Sequence, residues 1–442
     1  MNSVNSTFAN TIESDAIHPD ARTSARNLRY PGTLSPDHSA NAHLIPATNA
    51  RRRLSPRVAL LTGGGDKPYA LGLATALAAH NVAIDFIGSD DLAVPELLTN
   101  SAITFLNLRG DQKPEASLPK KVTRLLSYYA KLIGYAATAQ PTIFHILWNN
   151  KIELFDRTVL MLYYKLLGKR VVLTAHNVNA GKRDGNDSWL NRISLKIQYR
   201  LSDHIFVHTS GMKNELATAF RTPEAKVTVI PFGINNTVPN SNLSFHEAKR
   251  RLRLGPADKT ILFFGNIAPY KGLEYLVHAF ARLAVSDESY RLLIVGRPKG
   301  HHDYWNQIRQ AIVRTGVEGR IIQKIEYVPD EEAELYFKAA DVLILPYTHV
   351  FQSGVLFLGY SFGLPAIVAD VGDLKEEIVA GKTGLVFRPK DSEDLRDKIA
   401  TYFSSELYRD LPNVRAQIIA YANERYAWTK VAEATTMVYS KS

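Results

Sequence analysis

The sequence predicts an α/β protein made of two successive parallel-sheet units that face a central cleft. Three observations carry that reading. Short runs rich in Ile, Leu and Val end in Gly or Pro plus polar residues and then give way to helical patterns, as in ILFFGNIAPYKG, RLLIVGRPKG and AADVLILPY. Buried parallel strands joined by crossover helices read this way. The pattern occurs twice, from Arg57 to about Gly233 and again from Ile261 to about Val386, with a polar, helix-prone stretch from Asn235 to Asp258 between. Glycines and cations gather at the strand ends, where such sheets bind ligands.

The 442 residues suffice for two or three domains. There is no cysteine, so neither a disulfide framework nor a thiolate metal site is expected. No apolar run reaches the length of a spanning helix, and the first residues lack the charged start and apolar core of a secretory signal. A cytoplasmic protein is the expectation. The formal charge of +10 favours an anionic partner: phosphate groups, nucleic acid or an acidic membrane face. Dispersed basic residues without interleaved aromatics argue against nucleic acid.

In order, residues 1–53 are rich in Asn, Ser, Thr, Ala and Pro and read as a disordered tail. The first strand, Arg57 to Leu61, runs into TGGGDKP. Gly64 and Gly65 in that turn allow close approach of a ligand or simply a tight turn before a helix. VAIDFIGSD and ITFLNLRGD read as further strands. LPKKVTRLLSYYAKLIGY, residues 118–135, reads as a helix with Leu125, Leu126, Tyr129, Leu132 and Ile133 on one face and only positive charges elsewhere. It suits either an anionic membrane surface or the core with a solvated basic face. PTIFHILWNN, KRVVLTAHN, SDHIFVHTSG and KVTVIPFGI give the remaining strands of the first unit. After Pro389 the chain reads as helices.

Several residues could carry chemistry. Lys271 follows Gly265 and Asn266 at a strand end and at a helix start, an arrangement suited to a diphosphate. Arg297 and Lys299 follow the strand ending at Gly296, and Arg297 suits either a phosphate or a surface acid. Gln352, Ser353, Gly354 and Val355 open an apolar helix whose free N–H groups can bind an anion, with Ser353 as a plain cap the alternative. Tyr327 and Val328 precede Pro329, in a loop that could face a flat base. His145 lies inside an apolar strand and reads either as a core histidine or as part of the acceptor side. His176 ends a strand before Asn177, at the cleft mouth, where an imidazole can orient a hydroxyl or take its proton. His301 and His302 lack metal-ligand spacing.

On these residues the chain resembles family 4 (group 1) glycosyltransferases of the GT-B fold. The resemblance rests on GNIAPYKGLEYLVHAF, AADVLILPY, QSGVL, GLPAIVADVGDLKEEI and GKTGLVF in the second half, and on GGG, FHILW, TAHN and VHTSGMKNEL in the first. It implies an acceptor-binding unit over 54–236, completed by a C-terminal helix over 428–442 that crosses back, and a nucleotide-sugar unit over 237–427. It further implies metal-independent transfer of a sugar from a nucleotide diphosphate, with no cofactor. Donor residues would be Gly265, Asn266, Lys271, Arg297, Lys299, Tyr327, Val328, Gln352, Ser353, Gly354 and Val355. Acceptor-side residues would be Gly64, Gly65, His145, His176 and Asn177, with His176 and Lys271 catalytic. The acceptor would be a lipid-linked glycan or saccharide of polysaccharide or exopolysaccharide assembly, reached at the inner membrane face. The chain departs from the family at Asn266, where Arg is usual, and at Val350 and Leu358, where a pair of Glu is usual. An inactive nucleotide-sugar-binding module and a sugar-nucleotide epimerase are the alternatives.

Overall fold

The computed structural model describes residues 56–441 except Pro114, Glu115, Asn186, Thr237 and Lys299. The expectations for the tail over 1–53 and for Lys299 lie outside the described residues. The first sheet holds seven strands: β1 (Arg57–Leu61), β2 (Ala83–Gly88), β3 (Ile103–Asn107), β4 (Ile143–Ile146), β5 (Arg170–Thr174), β6 (His204–Val207) and β7 (Val227–Val229), in the order 3-2-1-4-5-6-7. The second holds six: β8 (Lys259–Phe264), β9 (Tyr290–Val295), β10 (Ile321–Lys324), β11 (Val342–Leu345), β12 (Ala366–Ala369) and β13 (Gly384–Phe387), in the order 10-9-8-11-12-13. Every strand pairing is parallel. Helices cover both faces, so central strands such as VLIL and AIVA are buried at every position.

In each sheet the strand order reverses beside the first strand, between β1 and β4 and between β8 and β11. A crevice opens at such a switch point beyond the carboxyl ends of the strands. The TGGGD turn and the GNIAPYKG segment follow β1 and β8, so each sits at a switch point.

The helix Trp428–Tyr439 completes the first unit. Val431, Ala432, Val438 and Tyr439 join the core formed by β1, β2 and the helix Lys67–Ala79. Trp428 explains two glycines: a Cβ at Gly72 or Gly233 would stand 2.2 or 2.3 Å from its ring. Its indole N–H donates to the Ile234 carbonyl at 2.9 Å, and the Arg170 guanidinium donates to the Val438 and Tyr439 carbonyls.

Two expectations need correction. The basic helix runs from Leu118 to Thr138, but its buried residues are Tyr128, Tyr129, Leu132 and Ala136. Leu126 and Ile133 point outward with Leu118 and Val122. The expected face is half right: Tyr129, Leu132 and partly buried Leu125 pack inward, and the buried stripe turns towards Tyr128 and Ala136, where Tyr129 donates to buried Asp156 and Tyr128 to Asn150. His145 is no part of the acceptor side. It is fully buried, and its Nδ1 and Nε2 meet Tyr439 Oη and Thr174 Oγ1 at 2.6 and 2.7 Å. Burial pushes its pKa down to about 3, so it is a neutral pin between β4, β5 and the crossing helix.

Candidate active site

A cleft of about 370 Å³ lies between the two sheets' carboxyl ends. From the first unit it is lined by Asp66, Tyr69, Trp148, His176, Asn177 and Arg183, and from the second by Tyr270, Lys271, Gln352, Ser353, Gly354 and Val355. Phe232, Val350, Leu358 and Trp428 supply apolar wall. The segments come together because each follows a strand: Trp148 follows β4, His176 β5, Phe232 β7, Lys271 β8 and Ser353 β11.

Lys271 ends a short helical turn, Pro269–Lys271. It is only 8% exposed, a burial that its place past a strand end does not foretell. Its Nζ donates to Tyr347 Oη at 2.5 Å and stands 3.9 Å from that ring's centroid. Tyr347 Oη in turn lies 3.1 Å from Ser353 Oγ. Ser353 opens the helix Gly354–Ser361 without a side-chain capping bond, so its hydroxyl belongs to this network. Burial, with Arg183 nearby, lowers the Lys271 pKa to about 8. No carboxylate among the described residues pairs with Lys271, so a ligand anion would be its natural counter-charge.

His176 lies flat on Trp148, ring centroids 4.1 Å apart and planes 2° apart, with Tyr69 edge-on at 4.6 Å. Its Nδ1 is 3.1 Å from His208 Nε2, and His208 Nδ1 is 3.4 Å from the Ile230 carbonyl. A carbonyl only accepts, so His208 carries its proton on Nδ1 and accepts from His176 Nδ1–H through Nε2. His176 Nε2 is therefore the lone pair, and it has no partner. Burial and the neighbouring His208 hold the His176 pKa well below its ordinary value, so the ring is neutral and its buried Nε2 lone pair is unused.

The walls touch each other. Arg183 sits over the Tyr270 ring at 4.8 Å while paired with Asp184. Phe351 packs against the first unit's core. Asp373 lies against Gly211 at the start of the helix Ser210–Phe220.

Of the predicted residues, His176, Asn177, Lys271, Gln352, Ser353, Gly354 and Val355 line this cleft. Gly265 adjoins it, 3.4 Å from Val355 to a built Cβ. Gly65 abuts the Trp148 ring, which a Cβ there would strike, and Gly64 is its neighbour in the same turn. Asn266, Arg297, Tyr327 and Val328 do not line the cavity. Arg297 instead sits over exposed Tyr327 at 5.1 Å, past the ends of β9 and β10. Sequence reasoning left Arg183 open between site and surface and missed Asp66, Tyr69, Trp148, His208, Tyr270 and Tyr347. Trp148, His208 and Tyr347 lie just past β4, β6 and β11, a signal within reach.

Two parallel α/β units with a cleft between their switch points and a terminal helix returning to the first define a GT-B glycosyltransferase architecture. Comparison with known proteins agrees: residues 63–237 match the model of Glycosyltransferase Family 4 and residues 258–405 that of Glycosyl transferases group 1. Together these take in well over half the chain, which belongs to this glycosyltransferase family. It is similar to an uncharacterized glycosyltransferase of Methanocaldococcus jannaschii, 27% identical over 54% of this chain and 60% of that one. It is also similar to a D-inositol 3-phosphate glycosyltransferase of Corynebacterium efficiens, 26% identical over 62% of this chain and 66% of that one. The chain thus spans under two thirds of the length of these relatives. Among solved structures, HepE of Anabaena in complex with UDP-glucose superposes with a TM-score of 0.66 at 16% identity, over 87% of this chain and 100% of that one.

Proposed function

We propose that this protein transfers a sugar, of hexose type, from a nucleotide-diphosphate donor to an acceptor in the cleft. The single observation that carries the reading is the buried Lys271–Tyr347–Ser353 chain, which ends at a helix start and lacks a counter-anion. A donor diphosphate supplies that anion. As the bond from the sugar's C1 to the diphosphate breaks, Lys271 and the first N–H groups of the helix Gly354–Ser361 stabilise the leaving charge. They take the role a metal has elsewhere, so the transfer is expected without one. The acceptor hydroxyl donates to His176 Nε2, which orients it towards C1. Arg297 and Tyr327 extend the donor side towards the nucleoside. The HepE complex with UDP-glucose supports a nucleotide sugar as donor.

The acceptor in this reading is a lipid-linked glycan of polysaccharide or exopolysaccharide assembly, met at the inner face of a membrane by a cytoplasmic enzyme. The support is the helix Leu118–Thr138, which exposes Leu118, Val122 and Leu126 beside Lys120 and Lys121. No described helix is long and apolar enough to cross a membrane.

One observation favours a second reading. Val350 and Leu358, at the positions where the family usually has Glu, present apolar surface to the cleft. A binding module without turnover would show the same. Calorimetry against UDP, GDP, ADP and their sugar conjugates, followed by product analysis, separates the readings. Tight binding of one conjugate, lost with Lys271→Ala, together with turnover supports the transferase. Binding without turnover supports the module, and no binding refutes both.

A further inference from the structure

We propose that the glycine turn after β1 and the guanidinium of Arg109 form a second anion site, which takes a phosphate or carboxylate carried by the acceptor. Only the word acceptor rests on the transferase reading. Arg109 follows β3 and is 7% exposed. Its guanidinium makes no hydrogen bond and no ion pair among the described residues, and its Nη1 is fully covered and unpartnered. The contact recorded for it is with the Tyr128 ring, at 5.4 Å. A buried guanidinium without counter-charge is costly, so a chain that keeps one holds a place for an anion.

The place is at Gly64. A Cβ there would meet the Arg109 Nη2 and Nη1 at 2.4 and 2.5 Å, and Gly64 is itself exposed with φ +79°. Glycine thus leaves a thin lid over the guanidinium that an anion can approach. The neighbouring cation is already paired. Arg124, one helical turn before Tyr128, has a buried Nη1 without a hydrogen bond, and the Asp111 carboxylate stands 3.9 Å from it. The acid on the far side of Tyr128, Asp156, accepts from Tyr129 Oη and Asn150 Nδ2. Burial raises its pKa, so it opposes an anion less than a free carboxylate. Asp66, at the end of the turn, caps the next helix through Tyr69 N–H at 2.9 Å. The site adjoins the cleft because Gly65 rests on Trp148, the residue on which His176 lies.

The test titrates inorganic phosphate into the full chain carrying Lys271→Met, which removes the donor-side cation, and follows melting temperature and heat. The expected result is saturable stabilisation, weakened about tenfold or more when Arg109→Met is added, as the loss of charge-assisted hydrogen bonds implies. Arg109→Lys should recover part of it. Arg109→Met by itself should melt no lower than the protein that keeps Arg109. A lower melting temperature or failure to fold in Arg109→Met overturns the proposal, since Arg109 would then be a structural group. Equal phosphate affinity with and without Arg109 overturns it too. A soluble hexose phosphate and vesicles carrying phosphatidic acid, compared in the same titration, separate a free sugar phosphate from a lipid-borne one. Nucleotide binding is read apart, in the protein with Lys271, so the two proposals fail separately.

Discussion

Raising the pH should loosen donor binding through Lys271 alone. With a pKa of about 8, this ammonium is mostly charged at pH 7 and mostly neutral at pH 9. If only the charged form receives the diphosphate, the dissociation constant scales inversely with the charged fraction, and binding is about tenfold weaker at pH 9 than at pH 7. Lys271→Arg keeps its charge across that range and should bind with a flat profile. Lys271→Met should also be flat, and weaker at pH 7 by about ten- to hundredfold, the worth of about 1.5–3 kcal/mol of charge-assisted hydrogen bonding. The assay is calorimetric titration of the preferred nucleoside diphosphate at pH 7, 8 and 9. A wild-type affinity flat to pH 9, or a slope that persists in Lys271→Met, would refute the assignment. Stability moves the opposite way. Folding lowers this pKa from 10.5, so the unfolded chain binds more protons between pH 8 and 10.5 and stability rises with pH there. Below pH 8 the buried charge costs at most about 3 kcal/mol, and Lys271→Met should be more stable than wild type at pH 7.

Four other outcomes are expected. His208→Phe should free His176 Nδ1 and lower turnover with little change in donor affinity, His208→Gln should restore much of it, and nitrogen-15 spectra should show a mixed His176 tautomer only in the Phe variant. His145→Ala removes the buried hydrogen bonds that its ring makes with the Tyr439 and Thr174 hydroxyls and should cost about 2–4 kcal/mol by urea denaturation while leaving nucleotide affinity intact. Folding lowers the pKa of His145 and His208 to about 3 and about 4, so stability should fall as pH drops below the unfolded value of 6.5, by about 1.4 kcal/mol per pH unit for each. Leu126→Glu with Lys120→Glu should abolish flotation with anionic vesicles if the helix Leu118–Thr138 is the membrane contact, and leave the melting temperature near wild type because both side chains point to solvent.

Much of the fold could be read because parallel strands announce themselves as apolar runs with abrupt polar ends. Lys271, Ser353, Gly354 and His176 could be found because a residue just past such a run stands at the cleft wherever the chain goes next. For His145 the sequence left a core and an acceptor-side role open: both faces of β4 are covered, so its four residues are all buried and no alternation separates a core histidine from an outward one. Arg109 and His208 also stand at strand ends, yet each matters through a partner far along the chain, Gly64 or His176, and no local pattern reports such a pairing. The burial of Lys271 was hidden likewise, since it depends on Tyr347 arriving from β11.

The returning helix has a consequence for how the chain is made. Residues 57–229 supply every strand of the first sheet, yet Tyr439, which pins His145, and Trp428, which seals Gly72 and Gly233, emerge roughly two hundred residues later. The second unit is contiguous and can close as it leaves the ribosome. The half synthesised first is therefore the half finished last. Until then its apolar groove beside the helix Lys67–Ala79 stays open, a natural point for a chaperone to hold and for a truncated chain to be recognised as incomplete.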